Sequence, residues 1–262
     1  MRPRPSRSSA VRARRLGGLA CLLILAGCAA AARPPAPVAP EAAAALALVA
    51  EHAGAFRDLR TRAQVDIERA ARRDRLSGVL LLRAPAALRF EALAPLGTPL
   101  LVVAADGDTL TLWEIPDNRA WLLAPTPEAT ARWLGVALGV EDLVPVLAGR
   151  VRLLDRPDEV RLVPADQVGP SLVLSSGERR QQVWFDPASG RPRAVDWTGG
   201  KHPARVVFDP APGEAPAGLT LTTGDGGLRV RVSYQDPAAD AGLDPDRLRL
   251  RLPDSVRVQD MR

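Results

Sequence analysis

The chain has 262 residues, 47% hydrophobic, 25% charged and 4% aromatic, with a formal charge of +5 at pH 7. Six arginines (Arg2, Arg4, Arg7, Arg12, Arg14, Arg15) stand in the first stretch with no acid among them, and without them the charge is −1. The basic balance is therefore local and gives no reason to expect a nucleic-acid partner.

Those arginines precede LGGLACLLILAG, a run as long as an export-signal core and too short to span a bilayer. The run closes in Leu25-Ala26-Gly27-Cys28, which resembles the lipobox of bacterial lipoproteins. The resemblance implies cleavage before Cys28, diacylglycerol attachment to its sulfur and acylation of the new terminus. Residues 1–27 are thus predicted to be a signal peptide. Cys21 would leave with it and Cys28 would become a thioether, so neither a disulfide nor a cysteine metal site is expected. Ala29 stands where such lipoproteins carry Asp when they stay in the inner membrane. The rule places the lipid anchor at the periplasmic face of the outer membrane. Residues 28–42, rich in Ala and Pro, read as the acylated Cys and a semi-extended tether. Residues 43–262 remain for a single domain.

A helical period runs from about Glu41 to Phe56. From Leu59 the sequence alternates: Leu59, Thr61, Ala63, Val65 and Ile67 share one face, and Arg60, Arg62, Gln64, Asp66 and Glu68 the other. That is the pattern of a half-buried antiparallel strand. It recurs at Leu88, Phe90 and Ala92, at Leu110 and Leu112, at Leu228 to Tyr234, and at Leu248, Leu250 and Leu252. Turn signals such as Asp106-Gly107, Ser189-Gly190 and Asp225-Gly226-Gly227 separate the runs. Thr126, followed by Pro127 and Glu128, predicts the N-cap of a second helix through Trp133 to Leu138, and a short third helix covers about Glu141 to Ala148. The predicted order is helix, about six strands, two helices and about six more strands. The fold class is mainly β (α+β): a large curved antiparallel sheet with helices on one face, with a two-sheet sandwich fitting the alternation equally.

Between two of the predicted strands lies an unusual connection. In RFEALAPLGTPLLVV nothing from Ala92 to Ala105 is charged, although a turn normally exposes polar side chains. Pro95 and Pro99 stiffen the segment and Gly97 permits the turn, leaving Leu96 at the tip. A rigid exposed Leu can enter lipid for a gain of about 1.5–3 kcal/mol.

The order RFEALAPLGTPLLVVAADGDTLTLWEI, then Thr130-Ala131-Arg132-Trp133-Leu134-Gly135, then VEDLVPVLAGRV, resembles the outer-membrane lipoprotein receptors of the LolA/LolB superfamily, of the LolB type. Ala94 departs from the Asn common at that position, and the second half is longer and richer in Pro and Gly. The resemblance implies an unclosed half-barrel whose concave face is covered by helices and whose cavity holds the acyl chains of a lipoprotein. It implies that Pro95, Leu96 and Gly97 form a protruding loop that helps insert the cargo into the membrane. Inward parity then makes Ala63, Val65, Ile67, Leu88, Phe90, Leu110 and Leu112 candidates for the cavity wall, with Trp133 on the covering helix. The implied partners are acylated lipoprotein cargo, a periplasmic LolA-like carrier and, through the acyl anchor, membrane lipid; a monomer is expected. Two or three long chains at about 0.8 kcal/mol per CH₂ amount to tens of kcal/mol, which only an apolar container can offset in water. The alternative is a structural or interaction lipoprotein of the envelope on the same scaffold, without cargo transfer.

No chemistry-bearing constellation competes with this reading, and neither cofactor, metal nor enzyme activity is expected. His52 and His202 lie far apart in sequence, no G-x-S-x-G or phosphate-binding glycine motif occurs, and Ser175 and Ser176 precede Gly177 as ordinary turn residues.

Overall fold

The computed structural model of the protein describes residues 38–70, 72–211 and 213–262. The predicted signal peptide, Cys28 and residues 28–37 lie outside the described residues. Helix α1 (Pro40–Gly54) starts inside the segment read as tether, with Pro40 supplying the fixed φ that suits a first helical position. Six strands follow: β1 (Asp58–Arg69), β2 (Arg72–Arg83), β3 (Ala87–Leu93), β4 (Pro99–Asp106), β5 (Leu110–Glu114) and β6 (Arg119–Leu123). After α2 (Pro127–Leu134) and α3 (Val140–Leu147) come β7 (Glu159–Val163), β8 (Ser171–Ser176), β9 (Arg179–Phe185), β10 (Pro192–Thr198), β11 (Ala204–Phe208), β12 (Gly218–Thr223), β13 (Leu228–Ala239) and β14 (Arg257–Asp260). Eight strands thus follow the helices where about six were expected.

All fourteen belong to one sheet, which excludes the sandwich. Strands β6 to β1 lie in sequential order, β13 to β7 continue from β1, and β14 flanks β6 as the one parallel neighbour. Edges remain at β14 and β7, so the sheet is an unclosed half-barrel. Its seam is the antiparallel pairing of β1 with β13, where Val65 faces Val232 and Ile67 faces Val230.

Alternation fixes the two faces. Leu59, Leu82, Leu88, Val103, Leu110, Leu123, Leu172, Val183, Val195 and Val206 join Val140, Val144 and Val146 of α3 and Val49 of α1 in one core on the inner face. Helix α1 packs on β7 and β8, and α3 on β2 and β3. Residues 36–262 form a compact unit with this core to themselves, the property of a segment that folds alone.

Two element predictions need correction. Helix α2 ends at Leu134 and not at Leu138, because Gly135 takes a left-handed φ of 78° and its N–H bonds back to the Thr130 carbonyl. The alternation at Leu248, Leu250 and Leu252 is not a strand. That segment runs over the outer face of the sheet, where Leu243 and Leu248 pack on Leu81. The Arg83 guanidinium donates to the Leu243 carbonyl (3.0 Å) and that of Arg89 to the Arg249 carbonyl (2.9 Å). Alternation here reports which side chains face the sheet, while arginine side chains take the place of a backbone ladder.

Candidate functional site

Burial along the inner face changes from one end of the sheet to the other. Neighbouring strands run in opposite directions, so the connections after β1, β3, β5 and β12 all fall at one end, here called the rim. In β1, Leu59 and Ala63 are buried, but Val65 and Ile67, nearer the rim, are half-buried. Going the same way, Leu80 is buried and Leu76 half-buried in β2, Leu88 buried and Phe90 half-buried in β3, and Val103 buried and Leu101 half-buried in β4. The base is filled and the rim end is hollow.

The hollow is a cavity of about 350 Å³, at the lower end of the range for ligand pockets. Ala63, Val65, Ile67, Leu88, Phe90 and Leu112 from the sheet and Trp133 from α2 line it, so the fold brings seven of the eight predicted wall residues together. Leu110 is the exception. It lies at the base of β5, is 0% exposed, and belongs to the filled core below the cavity. Parity assigns a face and carries no information on depth. Leu101, Val103, Trp121, Leu143, Leu147, Val230 and Val232 complete much of the apolar wall. Strand β4 was hard to read because PLLVVAA is an unbroken apolar run in which no face can be distinguished.

Two sequence features shape the sheet and the roof around this space. The cross-strand row Ala63–Gly78–Ala92 carries no large side chain over three adjacent strands. A Cβ on Gly78 would lie 1.9 Å from the Glu91 carbonyl oxygen, so the close approach of β2 to β3 admits only glycine. Above the sheet, α2 is held as a roof. The Thr126 hydroxyl accepts from the Ala129 N–H (3.4 Å) and the buried Thr130 hydroxyl donates to the Leu138 carbonyl (2.7 Å). Trp133 leans on Trp121 with ring centroids 5.1 Å apart, and the Trp121 indole N–H donates to Gln259 of β14 (2.9 Å). Tyr234 closes the layer from β13 by donating its hydroxyl to the Leu147 carbonyl at the end of α3 (2.6 Å). Burial raises its pKa, so the phenol stays protonated.

Among the described residues the charged ones on the cavity wall are Arg69 and Glu114, at the rim ends of β1 and β5. The mouth therefore faces the rim, because charge gathers where water reaches. Next to it stands the β3–β4 hairpin. The Ala94 N–H donates to the Thr98 carbonyl and the Gly97 N–H to the Ala94 carbonyl, both at 2.8 Å. Gly97 has φ +83°, a conformation that strains other residues. Leu96, between Pro95 and Gly97, is 96% exposed, where the next large apolar residue reaches 47%. The chain passes from this tip through half-exposed Leu100 to Leu101 in the cavity wall.

The remaining titratable residues singled out in the sequence lie elsewhere. His52 is half-buried on α1 against the Arg150 guanidinium, and burial first, then the cations Arg150 and Arg191, lower its pKa to about 4. It is neutral at pH 7. His202 is exposed in the β10–β11 turn. Among the described residues no three His, Cys, Asp or Glu side chains gather as a metal site, and no helix is long and apolar enough to cross a membrane.

No family model and no curated protein matches the sequence. Solved structures do match the fold. A Vibrio parahaemolyticus domain assigned, provisionally, to outer membrane lipoprotein sorting aligns with TM-score 0.56 and 14% identity over 79% of this chain and 97% of its own. A DUF1329 family protein from Desulfovibrio piger gives 0.54 and 12%, and a LolA superfamily protein from Nitrosomonas europaea 0.52 and 11%, with the same shares covered. The fold is that of LolA-type proteins.

Proposed function

We propose that the protein is an outer-membrane lipoprotein, anchored through Cys28, which receives the acyl chains of other lipoproteins in its cavity and passes them to the membrane at the rim. The observation that carries this reading is the coincidence at one end of the sheet of an apolar cavity mouth and a rigid, almost wholly exposed leucine. A LolA-type fold supports a role in binding lipid or lipoprotein. A LolB-type acceptor needs in addition a way to engage the bilayer, and the Leu96 hairpin supplies one.

The physical sequence is short. A carrier presents acyl chains at the rim, where Arg69 and Glu114 flank the opening. Chains enter between the sheet and the α2–α3 roof and exchange contact with water for contact with Val65, Ile67, Phe90 and Trp133. Leu96, already in the membrane interface, holds the mouth against lipid, and the chains move on into the bilayer because it is the deeper apolar sink. No nucleotide is required at any stage.

Leu96→Glu tests the reading. The charge opposes insertion, so binding of the 36–262 unit to vesicles should fall at least tenfold, reflecting the roughly 1.5–3 kcal/mol lost with one buried Leu. Capture of a detergent-solubilised acylated lipoprotein, read by native mass spectrometry, should persist because Leu96 is outside the cavity. Unchanged vesicle binding would remove the loop's role. Absence of any complex with the acylated protein would favour a structural envelope lipoprotein.

A further inference from the structure

Beside the uncharged Leu96 hairpin, the neighbouring β1–β2 hairpin reaches further and is dense in charge. Ser77 of β2 pairs with Leu93, the last residue of β3, so residues 72–76 run on past β3 with β1 at their side. On the outer face this end of the sheet carries two cross-strand rows, Arg73–Glu68–Arg229 and Arg75–Asp66–Arg231. Each row sets one carboxylate between two guanidiniums. Arg75 bonds Asp66, and its hydrogen bond, followed by that of Gln64, holds the Asp66 carboxyl below the usual range, so the acid stays ionised.

Those acids do not balance the arginines. Arg73 lies 3.3 Å from Glu68, Arg72 2.9 Å from Asp74, and Arg231 3.5 Å from Asp209. Arg229 makes no ion pair among the described residues, whereas Arg69 belongs to the inner face at the cavity mouth, where it reaches the Leu134 carbonyl at 3.4 Å. Four guanidiniums (Arg73, Arg75, Arg229 and Arg231) and three carboxylates (Asp66, Glu68 and Asp74) line an open concavity of about 500 Å³ whose floor includes Thr220, and the surplus of one falls at Arg229. Its polar lining offers guanidinium N–H donors, the groups that hydrogen-bond a phosphate most strongly.

We infer that this face is a docking surface for the phosphates of anionic lipid headgroups, in the same membrane surface that Leu96 enters. The inference rests on the membrane reading above and adds lipid class to it. Leu96 gives affinity without regard to headgroup, whereas the arginine rows, on the adjacent hairpin at the same rim, give preference for a negative surface and set how the rim meets it. Continuity with the apolar tip favours a membrane over an acidic protein as the occupant.

The test measures binding of the 36–262 unit to vesicles of phosphatidylcholine and of phosphatidylcholine with phosphatidylglycerol in equal amounts. Wild type should prefer the anionic vesicles, and high salt should abolish the preference. The double variant Arg73→Gln/Arg229→Gln, at the two exposed ends of one row, should bind anionic vesicles weaker by a factor on the order of 30, at about tenfold or less per surface arginine, with neutral vesicles unaffected. A wild type that binds both vesicles alike overturns the proposal and leaves the surface to an acidic protein; so does a double variant that keeps the preference. Leu96→Ser, which removes the apolar tip without adding charge, separates the two ideas: it should weaken binding to both vesicles by the same factor. If it weakens neither while the arginine variant loses its preference, the loop reading fails and the headgroup site stands.

Discussion

In β8 to β12 the inward side chains Leu172, Leu174, Val183, Phe185, Val195, Val206, Leu219 and Leu221 are buried, and only Trp197 and Phe208 among the large ones stay half-buried against the core. In β1 to β4 the large side chains of the same alternation are buried at the base, and Val65, Ile67, Phe90 and Leu101 toward the rim stay half-open. The two halves share one sheet, one pairing pattern and one kind of residue. What separates them is what lies on top and how large the facing side chains are. The second half is closed down on itself with α1. The first half is roofed at a distance by α2 and α3, over a row of Ala and Gly. A container can therefore be made from ordinary strand sequence by withholding volume at a few positions.

The sharpest way to break this contrast is to remove volume on each side of it. Leu172→Ala, at a filled position, should lower unfolding free energy by about 2–5 kcal/mol in denaturant titrations. Ile67→Ala, facing space that already exists, should cost under about 2 kcal/mol because little new void is created, and should raise binding of a fluorescent acyl probe. Equal costs at the two positions would mean that the cavity is not open in solution.

The second half also depends on a buried amide. Gln181 of β9 donates to the Arg152 carbonyl (2.9 Å) and accepts from the Leu154 N–H (2.8 Å), fixing the segment that leads from α3 to β7. Gln181→Leu leaves both backbone groups unpartnered and should cost about 1–3 kcal/mol in the same titration, with acyl-probe affinity unchanged. A change in probe affinity would show that the halves are coupled.

The smallest effect concerns pH. His52 has its folded pKa lowered from 6.5 to about 4. Above pH 6.5 it is neutral folded and unfolded and contributes no slope. Between 6.5 and about 4 the unfolded chain binds a proton that the fold refuses, so stability falls as pH falls, and the loss levels off below 4. His52→Gln should flatten that part of the stability profile; an unchanged profile would show that neither burial nor the cations Arg150 and Arg191 hold the ring neutral.

Much of the architecture could be read from the residues. Leu59 to Ile67 announce a two-faced strand because one face meets water, and Thr126-Pro127-Glu128 announce a helix start because capping is local. The Leu96 tip stood out because a turn lacked the polarity that solvent demands. Depth could not be read: Leu110 and Leu112 share parity, and only the assembled sheet shows one at the base and the other in the cavity wall. The strap around Leu248 was misread for a related cause, since alternation encodes a face and is silent on what the backbone bonds to. The arginine rows were present as scattered single charges, and they became a surface only when β13 was laid against β1.

That seam has a consequence for how the molecule comes into being. Strand β1 is made early and β13 late, yet Val65 must find Val232 for the sheet to be continuous. Local hairpins such as β1–β2 and β8–β9 can close as soon as they are available, while the seam waits for the slowest loop to close. Through that interval β1 presents an unpaired ladder beside apolar side chains, a template for any other extended chain. Folding of this protein is therefore most vulnerable at the centre of its sheet and not at its edges, and shielding β1 before β13 arrives is the task for whatever escorts the nascent chain.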